Sequence, residues 1–534
     1  MRRRRRMKEV KKLEKFLTKG KITRRQFISG MSALGLAAAV SPVFLGKPAQ
    51  AATPKKGGHF KMGLPGGHTT DNLDPGTLTD EWNYNTNWMY RNCLVEINYK
   101  GEPTPELAES WESTPDAKTW TFDLRKGVEF HNGKTMTAED VIFSINHHRG
   151  EKSKSAAKGI VDQIKDIKAD GKYRVIFELS GGNADFPFIA SDYHLTIQPS
   201  ETGKGDWIKG IGTGAYIQTE FEPGVVSKGK RNPNFFKKNR AHFDSVEMLV
   251  IQDTAARTNA LKTGAIHLMS SPDVKTVHLL DKMPGIHSLK ATGTFHNTIP
   301  MMVDVPPYDN NDVRLGLKYA IDREQMVKIA LNGYGTVAND HPIPPTVQFC
   351  NTDLPQRQYD PDKARFHLKK AGMLDHTFEL HACELDEFTD KAVLYSEQAK
   401  VAGINIKVVN HPADGYWDTV WLKEPWSMCY WNGRLTVDWM LSTAYSGDAK
   451  WNDSHFKHAR FDKLLVEARA ELDNKKRQEM YYECQAILRD EGGVVVPFFA
   501  DWVNGASDKC GYENVAGDWN PDGAKAAERW WFKA

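Results

Sequence analysis

Hydrophobic and polar side chains alternate along two stretches of the chain, Thr119–Leu124 (TWTFDL) and Lys172–Leu179 (KYRVIFEL). A period of two puts neighbouring side chains on opposite faces, so both stretches predict β-strands with one buried face. Gly492–Phe499 (GGVVVPFF) has an unbroken apolar run after its glycines, which predicts a strand buried on both faces.

A second pattern, with apolar residues three and four positions apart, predicts amphipathic helices. Thr137–His148 is one of them, because Thr137 and Asp140 have the spacing of an N-terminal capping box. A long helix is predicted over Asp312–Leu331. Three more are predicted over Asp360–Ala371, Phe461–Glu471 and Lys475–Arg489. Strands and helices that alternate along the chain indicate an α/β architecture with several sheets.

The charge of the chain is divided unevenly between its start and its remainder. Residues 1–51 hold 14 Lys and Arg and 2 Asp and Glu, a net charge of +12, whereas the whole chain carries +3. The remainder has 71 − 14 = 57 basic and 68 − 2 = 66 acidic residues, a net charge of −9. A mildly acidic body argues against nucleic acid as a partner. Its length of about 480 residues predicts two or three domains.

The start of the chain has the order of an export signal. A basic head precedes the apolar stretch Met31–Leu45, which is short for a membrane span, and small residues allow cleavage near Ala51. Arg24 and Arg25, with Phe27 two residues later, resemble the twin-arginine address that an exporter reads. The alternative is the basic flank of an ordinary secretory signal. Either form predicts a periplasmic protein with a signal over residues 1–51.

No motif of the sequence predicts catalysis, a cofactor or a metal site. Gly133-Lys134-Thr135 lacks the earlier glycine of a phosphate-binding loop, and a hairpin turn is predicted instead. Gly210–Gly214 predicts close backbone packing. Four histidines lack a carboxylate or cysteine at ligand spacing and are predicted to be exposed or capping: His147, His148, His455 and His458. The six cysteines are scattered and predict neither a zinc site nor a disulfide scaffold.

Longer motifs identify the chain as similar to a known family. They are Pro105–Trp111 (PELAESW), Thr119–Gly133 (TWTFDLRKGVEFHNG), Thr137–Ser144 (TAEDVIFS), Gly212–Tyr216, Arg231–Phe235, Val313–Glu324, Tyr359–Ala364 and Phe461–Arg477. In this order they resemble the family 5 extracellular solute-binding proteins, the peptide/nickel class that serves ABC importers. The resemblance covers nearly all of the chain after the leader.

The resemblance implies a two-lobed periplasmic binding protein fold with a hinge and an extra subdomain on lobe I. Lobe I would take residues 53–298 and 498–534, with the subdomain at about 85–225, and lobe II would take residues 299–497. A peptide or other small solute would bind between the lobes, and its contacts with both would favour a closed state that a membrane permease recognises. A monomer without enzymatic activity is expected.

One segment departs from the pattern of peptide-binding members, which carry an acidic residue shortly after a tryptophan of lobe II. Here that segment is Trp431–Trp439 (WNGRLTVDW), with Arg434 in the acidic position and Asp438 four residues later. An arginine prefers a carboxylate or phosphate, so an anionic or zwitterionic solute is expected. Two alternatives are an arginine that bridges a structural carboxylate, and a shifted register in which Asp438 binds an ammonium group.

Further cleft residues are nominated by position and by the aromatic character of ligand clefts. Together with Arg434 and Asp438 the candidates are Trp431, Asn432, Trp439, Glu81, Trp82, Asn83, Tyr193, His296 and Asn297. Other functions stay open. They are a binder of a metal complex or haem, a sensor that signals to a membrane receptor and, far behind these, an exported cofactor enzyme.

Overall fold

The computed structural model describes residues 54–200, 207 and 209–534, of which Pro54–Lys533 form one compact unit. The predicted signal, with Arg24, Arg25 and the cleavage near Ala51, lies outside the described residues. In the part that is described, no helix combines the length and apolar character needed to cross a membrane.

The strands are numbered in chain order. They are β1 His59–Leu64, β2 Val95–Ile97, β3 Pro103–Pro105, β4 Ala108–Ser113, β5 Thr119–Leu124, β6 Ile164–Ala169, β7 Arg174–Leu179, β8 Tyr216–Glu222, β9 Val226–Arg231, β10 Ser245–Val250, β11 Leu268–Ser270, β12 Ile286–Pro300, β13 Gly335–Val337, β14 Thr377–Cys383, β15 Asn405–His411, β16 Cys429–Trp431, β17 Val494–Val495, β18 Phe498–Ser507, β19 Cys510–Gly511 and β20 Trp531–Phe532.

The α-helices are numbered in the same way. They are α1 Glu81–Tyr90, α2 Ala138–Asn146, α3 Lys158–Val161, α4 Phe186–Ile189, α5 Thr254–Thr263, α6 Asn311–Tyr319, α7 Arg323–Ala330, α8 Pro361–Lys370, α9 Phe388–Lys400, α10 Tyr416–Thr419, α11 Val437–Ala444, α12 Ala459–Ala470, α13 Asn474–Glu491 and α14 Ala526–Arg529. Short 3-10 helices cover Pro75–Thr77, Val277–Lys282 and Leu385–Glu387.

The largest sheet of the described residues is mixed and has ten strands. Its main path has the order β16-β12-β18-β11-β1-β10-β9-β8, and β13 and β17 pair with β18 and β12 beside this path. Within it β1 runs parallel to both β10 and β11, so the carboxyl ends of these three strands meet at one edge. Apolar residues of β1 and β10 alternate into the core with Phe60, Met62, Val246 and Met248 fully buried. In open α/β sheets that carboxyl edge is where ligands bind.

Two long antiparallel strands, β12 and β18, connect the regions of the molecule. The first part of β12 pairs with the second part of β18, from Ile286 opposite Ser507 to Thr292 opposite Asp501. After a register shift, β12 pairs through His296 with Trp431 of β16 and through Ile299 with Val495 of β17. The chain therefore leaves the region of β1 along β12 and returns to it along β18.

Separate hydrophobic cores lie on either side of this connection. A four-stranded antiparallel sheet, β4-β5-β7-β6, packs with α2 in a core that runs from Leu94 to Ile197. Another core, between Ile299 and Phe498, contains the parallel pair β14 and β15 together with α9. Independent cores of this kind allow rigid regions to move against each other.

Most sequence-predicted elements are confirmed. Thr119–Leu124 is β5, Arg174–Leu179 is β7, and Thr137 with Asp140 forms the capping box of α2. Gly133 turns the chain with a φ of 85°. Gly214 packs so closely that an added Cβ would lie 2.3 Å from the Tyr90 carbonyl carbon. His458 caps α12, as expected, and His455 binds Asp304.

Three expectations are wrong in detail. The helix predicted over Asp312–Leu331 is divided into α6 and α7, because the Asp322 carboxylate caps a new helix by accepting the Gln325 N–H. The strand predicted over Gly492–Phe499 is buried but is interrupted before Phe498, where Pro497 has no N–H to donate. His148 is neither exposed nor capping; it is buried and hydrogen-bonded to Ser155.

Candidate functional site

Arg434 lies in the short loop that follows β16. Its Nη1 donates to the carbonyl oxygen of Asn432 at 2.5 Å, and its guanidinium stands 5.9 Å from the ring centre of Trp439. The side chain is half-buried, and no carboxylate of the described residues lies within 4.0 Å of its nitrogens. The bridge to a structural carboxylate, one of the sequence-based alternatives, is therefore not formed in this structure.

The charged and polar groups near Arg434 come from a distant part of the chain. Asp192 and Tyr193, which follow α4, are close enough to favour its charge, while burial lowers its pKa. The Asp192 carboxylate is already engaged by His194, whose Nδ1 is 2.6 Å away. A partly desolvated guanidinium that keeps free donors can receive an anion from outside the protein.

Asp438 occupies the first turn of α11, which Thr436 caps through the N–H of Trp439. Its carboxylate accepts from the Arg469 Nε at 3.0 and 3.1 Å, and from the Ser442 hydroxyl. Burial, only partly offset by Arg469, raises its pKa to about 6. This carboxylate is thus held by a cation of the protein itself, on α12.

The residues around Arg434 and Asp438 differ in exposure. Trp431 is buried, with ring contacts to Trp421 and Trp451, and belongs to the core between α11 and α13. Asn432 is exposed. Trp439 is half-buried and, with Asp438, lines a cavity of about 260 Å³ whose opposite wall is residues 159–189. The side chains of Trp439 and Asn432 are therefore accessible to a solute, whereas Trp431 packs in the core beneath the loop.

The candidates at the start of α1 lie at the carboxyl edge of the sheet. Glu81 is half-buried, and its carboxyl oxygens are each 3.4 Å from the Nδ2 of Asn520. Trp82 is in the core and donates from Nε1 to the Met248 carbonyl at 3.1 Å. Asn83 is buried and donates to Asp71. Of the three, Glu81 alone presents an ionisable group toward the cleft.

His296 and Asn297 lie on β12, next to Arg434 across the β12–β16 pair. His296 is fully buried, its Nδ1 is 2.9 Å from the Thr294 carbonyl oxygen, and burial lowers its pKa to about 4. Asn297 donates to Asp386 at 2.6 Å. The His296 Nε2 and Asn297 Oδ1 have no hydrogen-bond partner in the described part of the chain. Both side chains are buried beneath the cleft surface and are not exposed on it.

Tyr193 belongs to an aromatic wall that sequence reasoning found only in part. Its ring centre lies 5.0 Å from Trp519 and 5.6 Å from Tyr84, and Trp88 completes the group. Tyr84 and Trp88 are on α1, whereas Trp519 follows β19. No local pattern brings together positions so far apart in the chain, and the 15 tryptophans of the sequence were the one available signal.

Across the cavity near Trp439, two contacts join the four-stranded subdomain to the helices beyond β12. The Arg477 Nη2 of α13 lies 2.6 Å from the Asp185 Oδ1, and both side chains are buried. The Ala184 N–H donates to the Arg469 carbonyl oxygen at 2.7 Å. The two sides of the cleft are therefore in contact in this structure.

No group of three or more His, Cys, Asp or Glu side chains suited to a metal ion occurs among the described residues. The six cysteines, all in that part of the chain, are free.

Comparisons with known proteins agree with this architecture. The family model of the bacterial extracellular solute-binding proteins, family 5 Middle, matches residues 102–453. A di/tripeptide-binding protein 3 of Pseudomonas aeruginosa is 28% identical over 486 residues, which are 80% of this chain and 90% of that protein. A heme-binding protein A of Haemophilus influenzae is 25% identical over 462 residues, 78% of this chain and 83% of that protein.

A solved structure shows the same fold. It is the ABC transporter-associated periplasmic binding protein DppA of Helicobacter pylori in complex with a peptide, with a TM-score of 0.71 and 24% identity over 90% of this chain and 99% of that one. The α/β fold is thus the two-lobed fold of the periplasmic binding proteins. With the family model matching well over half of its length, the chain belongs to the bacterial extracellular solute-binding proteins, family 5.

Proposed function

We propose that this protein is the solute-binding component of an ABC importer, and that it captures a small solute whose carboxylate or phosphate group is bound by Arg434. The observation that carries the proposal is the electrostatic state of the cleft. Arg434 has no carboxylate partner among the described residues of the cleft, while Asp438, the other candidate for the ligand's charged end, is engaged by Arg469. A guanidinium fork matches a carboxylate or phosphate with two parallel hydrogen bonds.

The proposed mechanism is closure of two lobes around the solute. We place lobe I at residues 53–298 and 498–534, with the subdomain within about 85–225, and lobe II at residues 299–497. The crossing strands β12 and β18 and the separate cores support these limits. A solute that contacts Arg434 on one side and the aromatic wall of Tyr193 on the other would stabilise the closed state, without covalent chemistry.

The remaining parts of the proposal rest on the family and on the sequence. The protein would act as a monomer in the periplasm after export through the signal with Arg24 and Arg25, and would deliver its solute to a membrane permease. Nucleic acid is not an expected partner, because the body of the chain carries a net charge of −9, from 57 basic and 66 acidic residues. The curated relatives above are named for binding di- and tripeptides and haem.

Native mass spectrometry of the freshly purified mature protein, followed by denaturation, tests the proposal. Slow dissociation from a closed cleft often keeps a ligand bound, so a released solute identifies the class directly. An acidic or phosphorylated solute whose affinity falls in Arg434→Gln supports the proposal. Unchanged affinity in that variant rules out the clamp, and bound haem or metal would favour the alternative class. If the cleft is empty, a thermal-shift solute screen takes the place of the released solute.

A further inference from the structure

Glu81, like Arg434, lies at the cleft without an ion-pair partner among the described residues. It stands in the first turn of α1, and β1, β10 and β11 end at the same edge of the sheet. Ser270, the last residue of β11, is beside its carboxyl group and pairs in the sheet with Asn504 of β18. This carboxyl edge is the ligand-binding side of an open α/β sheet.

The part of the chain that the structure describes places no cation within ion-pair distance of this carboxylate. No Lys, Arg or His of the described residues lies within 4.0 Å of Glu81. The Arg257 guanidinium acts on Glu81 through its charge, but its hydrogen bonds go elsewhere. It donates to the carbonyl oxygens of Ile251, Gln252, Ser270 and Ser271 and to the Thr254 hydroxyl. Among the described residues, the side-chain donors beside the Glu81 carboxyl group are neutral: the Asn520 amide at the long distance of 3.4 Å and the Ser270 hydroxyl. A charge that is partly removed from water costs free energy unless it is paired, so a cationic partner would stabilise this half-buried carboxylate.

Buried oxygen atoms around Glu81 also lack a donor. Asn85 uses its Nδ2 to donate to the carbonyl oxygens of Glu81 and Asn520, which leaves its Oδ1 without a partner. Asn504 likewise donates to Asn520 and has a free Oδ1. The Ser270 hydroxyl, which lies beside the Glu81 carboxyl group, accepts no hydrogen bond from the described residues. All three side chains are at most 1% exposed, and an ammonium group, which has three donors and no acceptor, matches such a collection of acceptors.

Tyr193 and Tyr84 connect this acceptor cluster to Arg434. The Tyr193 hydroxyl is within electrostatic range of Arg434 and of Asp80, the residue before Glu81. The Tyr84 hydroxyl is in turn within range of Glu81 and Tyr193. Asp80 itself is satisfied, because it accepts the N–H groups of Gly67 and Asn83. The cleft is therefore cationic at one end and anionic at the other, with an aromatic wall between.

We propose that Glu81, with the free oxygens of Asn85, Ser270 and Asn504, binds the cationic ammonium group of a zwitterionic solute whose acidic group is bound by Arg434. This inference rests on the proposed function and narrows its substrate class to amino-bearing acids. It also fixes the direction of the solute: the ammonium group lies on the β1 side of the cleft and the acidic group on the β16 side.

The experiment uses the full mature protein and isothermal titration with matched probes. They are 6-aminohexanoate, 8-aminooctanoate, 11-aminoundecanoate and trialanine, each beside its N-acetyl derivative, together with trialanine amide. Acetylation removes the positive charge and keeps the carboxylate, whereas the amide does the reverse. We expect at least one free-amine probe to bind at least tenfold more tightly than its N-acetyl partner.

Glu81→Gln keeps an acceptor for Asn520 and removes the charge, so the preference for the free amine should fall below about twofold in that variant. Glu109→Gln, at an exposed acid, is the matched control and should keep the preference. Thermal unfolding of ligand-free protein checks folding: Glu81→Gln should be as stable as the wild type or more so, since an unpaired and partly desolvated charge is removed.

Equal binding of free and acetylated probes, a preference that survives in Glu81→Gln, or the absence of binding by every amine probe would overturn the inference. A marked loss of stability in Glu81→Gln would also overturn it, because the carboxylate would then be structural. A different result would contradict the proposed role of Arg434. In that case trialanine amide would bind as well as trialanine, and Arg434→Gln would bind the probes like the wild type.

Discussion

The carboxylate of Asp185 and the guanidinium of Arg477 are 2.6 Å apart although 292 residues separate them in the chain. Asp185 belongs to the four-stranded subdomain and Arg477 to α13, on opposite sides of the cleft. Both side chains are buried, and together with Asp438 and Arg469 they form a network of charges across it. The ion pair thus links the two regions whose closure the proposed function requires.

Asp185→Asn should shift the protein toward an open state. The substitution leaves the Arg477 charge unpaired, and opening the cleft would return it to water at less cost than keeping it buried. We expect a larger radius of gyration by small-angle scattering without solute, and an affinity about tenfold lower. Asp123→Asn, which removes one partner of an exposed ion pair with Arg174, is the control and should change neither quantity.

Arg434→Lys should restore little of the binding that Arg434→Gln removes. A lysine keeps the charge but lacks the planar fork, so two parallel hydrogen bonds to an acidic group become one. We expect both variants to lose about 2 to 4 kcal/mol of binding free energy, with Lys the milder, as measured by isothermal titration. Arg460→Gln, at an exposed arginine paired with Glu483, should bind like the wild type. A lysine variant with full affinity would show that charge alone suffices.

Asp438→Asn should affect stability more than binding. The substitution removes the partner of the Arg469 guanidinium in a buried network, which should cost about 1 to 3 kcal/mol of unfolding free energy. Because Asp438 is engaged by Arg469, we expect the affinity for solute to change by less than about threefold. Chemical denaturation and titration of one preparation give both numbers. A large loss of affinity at unchanged stability would restore Asp438 as the partner of an ammonium group.

Glu81 makes the stability of the ligand-free protein depend on pH. Burial raises the pKa of its carboxyl group to about 7 from an ordinary value of 4.5, although hydrogen bonds from Ser270 and Asn520 and the charge of Arg257 oppose the rise. The charge of Asp80 adds to the rise, and Tyr84 is the other titratable neighbour. Because the pKa is higher in the folded than in the unfolded protein, protonation of Glu81 stabilises the folded state. This stabilisation is complete below pH ~4.5 and is lost as pH rises through about 7.

The size of this contribution is at most about 3 kcal/mol, since one pKa unit corresponds to about 1.4 kcal/mol. In Glu81→Gln the contribution is absent. We therefore expect the variant to gain stability relative to the wild type between pH 5 and pH 8, measured by urea denaturation at each pH. A difference in unfolding free energy that does not vary with pH would show that Glu81 titrates normally.

Local patterns predicted much of the fold but little of the site. The period of two over Thr119–Leu124 and the cap at Thr137 depend on neighbouring residues, and both are confirmed. The sequence did not predict that the helix over Asp312–Leu331 is divided at Asp322. The helical spacing of apolar residues continues past Asp322, so the spacing alone does not reveal the cap. Long motifs of the chain also led to the family, which the matching family model confirms.

The candidate site depends on contacts between distant positions, which no local pattern contains. Arg434 and Asp438 stood out because they depart from a familiar motif, but the partner that engages Asp438, Arg469, is 31 residues away. Trp519 and Asn520 join α1 from the far end of the chain. Trp82 was nominated by its position after the first strand, yet its ring fills the core beneath the cleft.

The most direct test of the account is a crystal structure of the protein with the solute that it releases or that the probe titration selects. We expect an acidic group of the solute to accept hydrogen bonds from both terminal nitrogens of Arg434 at about 2.7–2.9 Å, with Asp438 still bound to Arg469. A solute whose ammonium group contacts Asp438, with Arg434 turned away from it, would contradict the central claim.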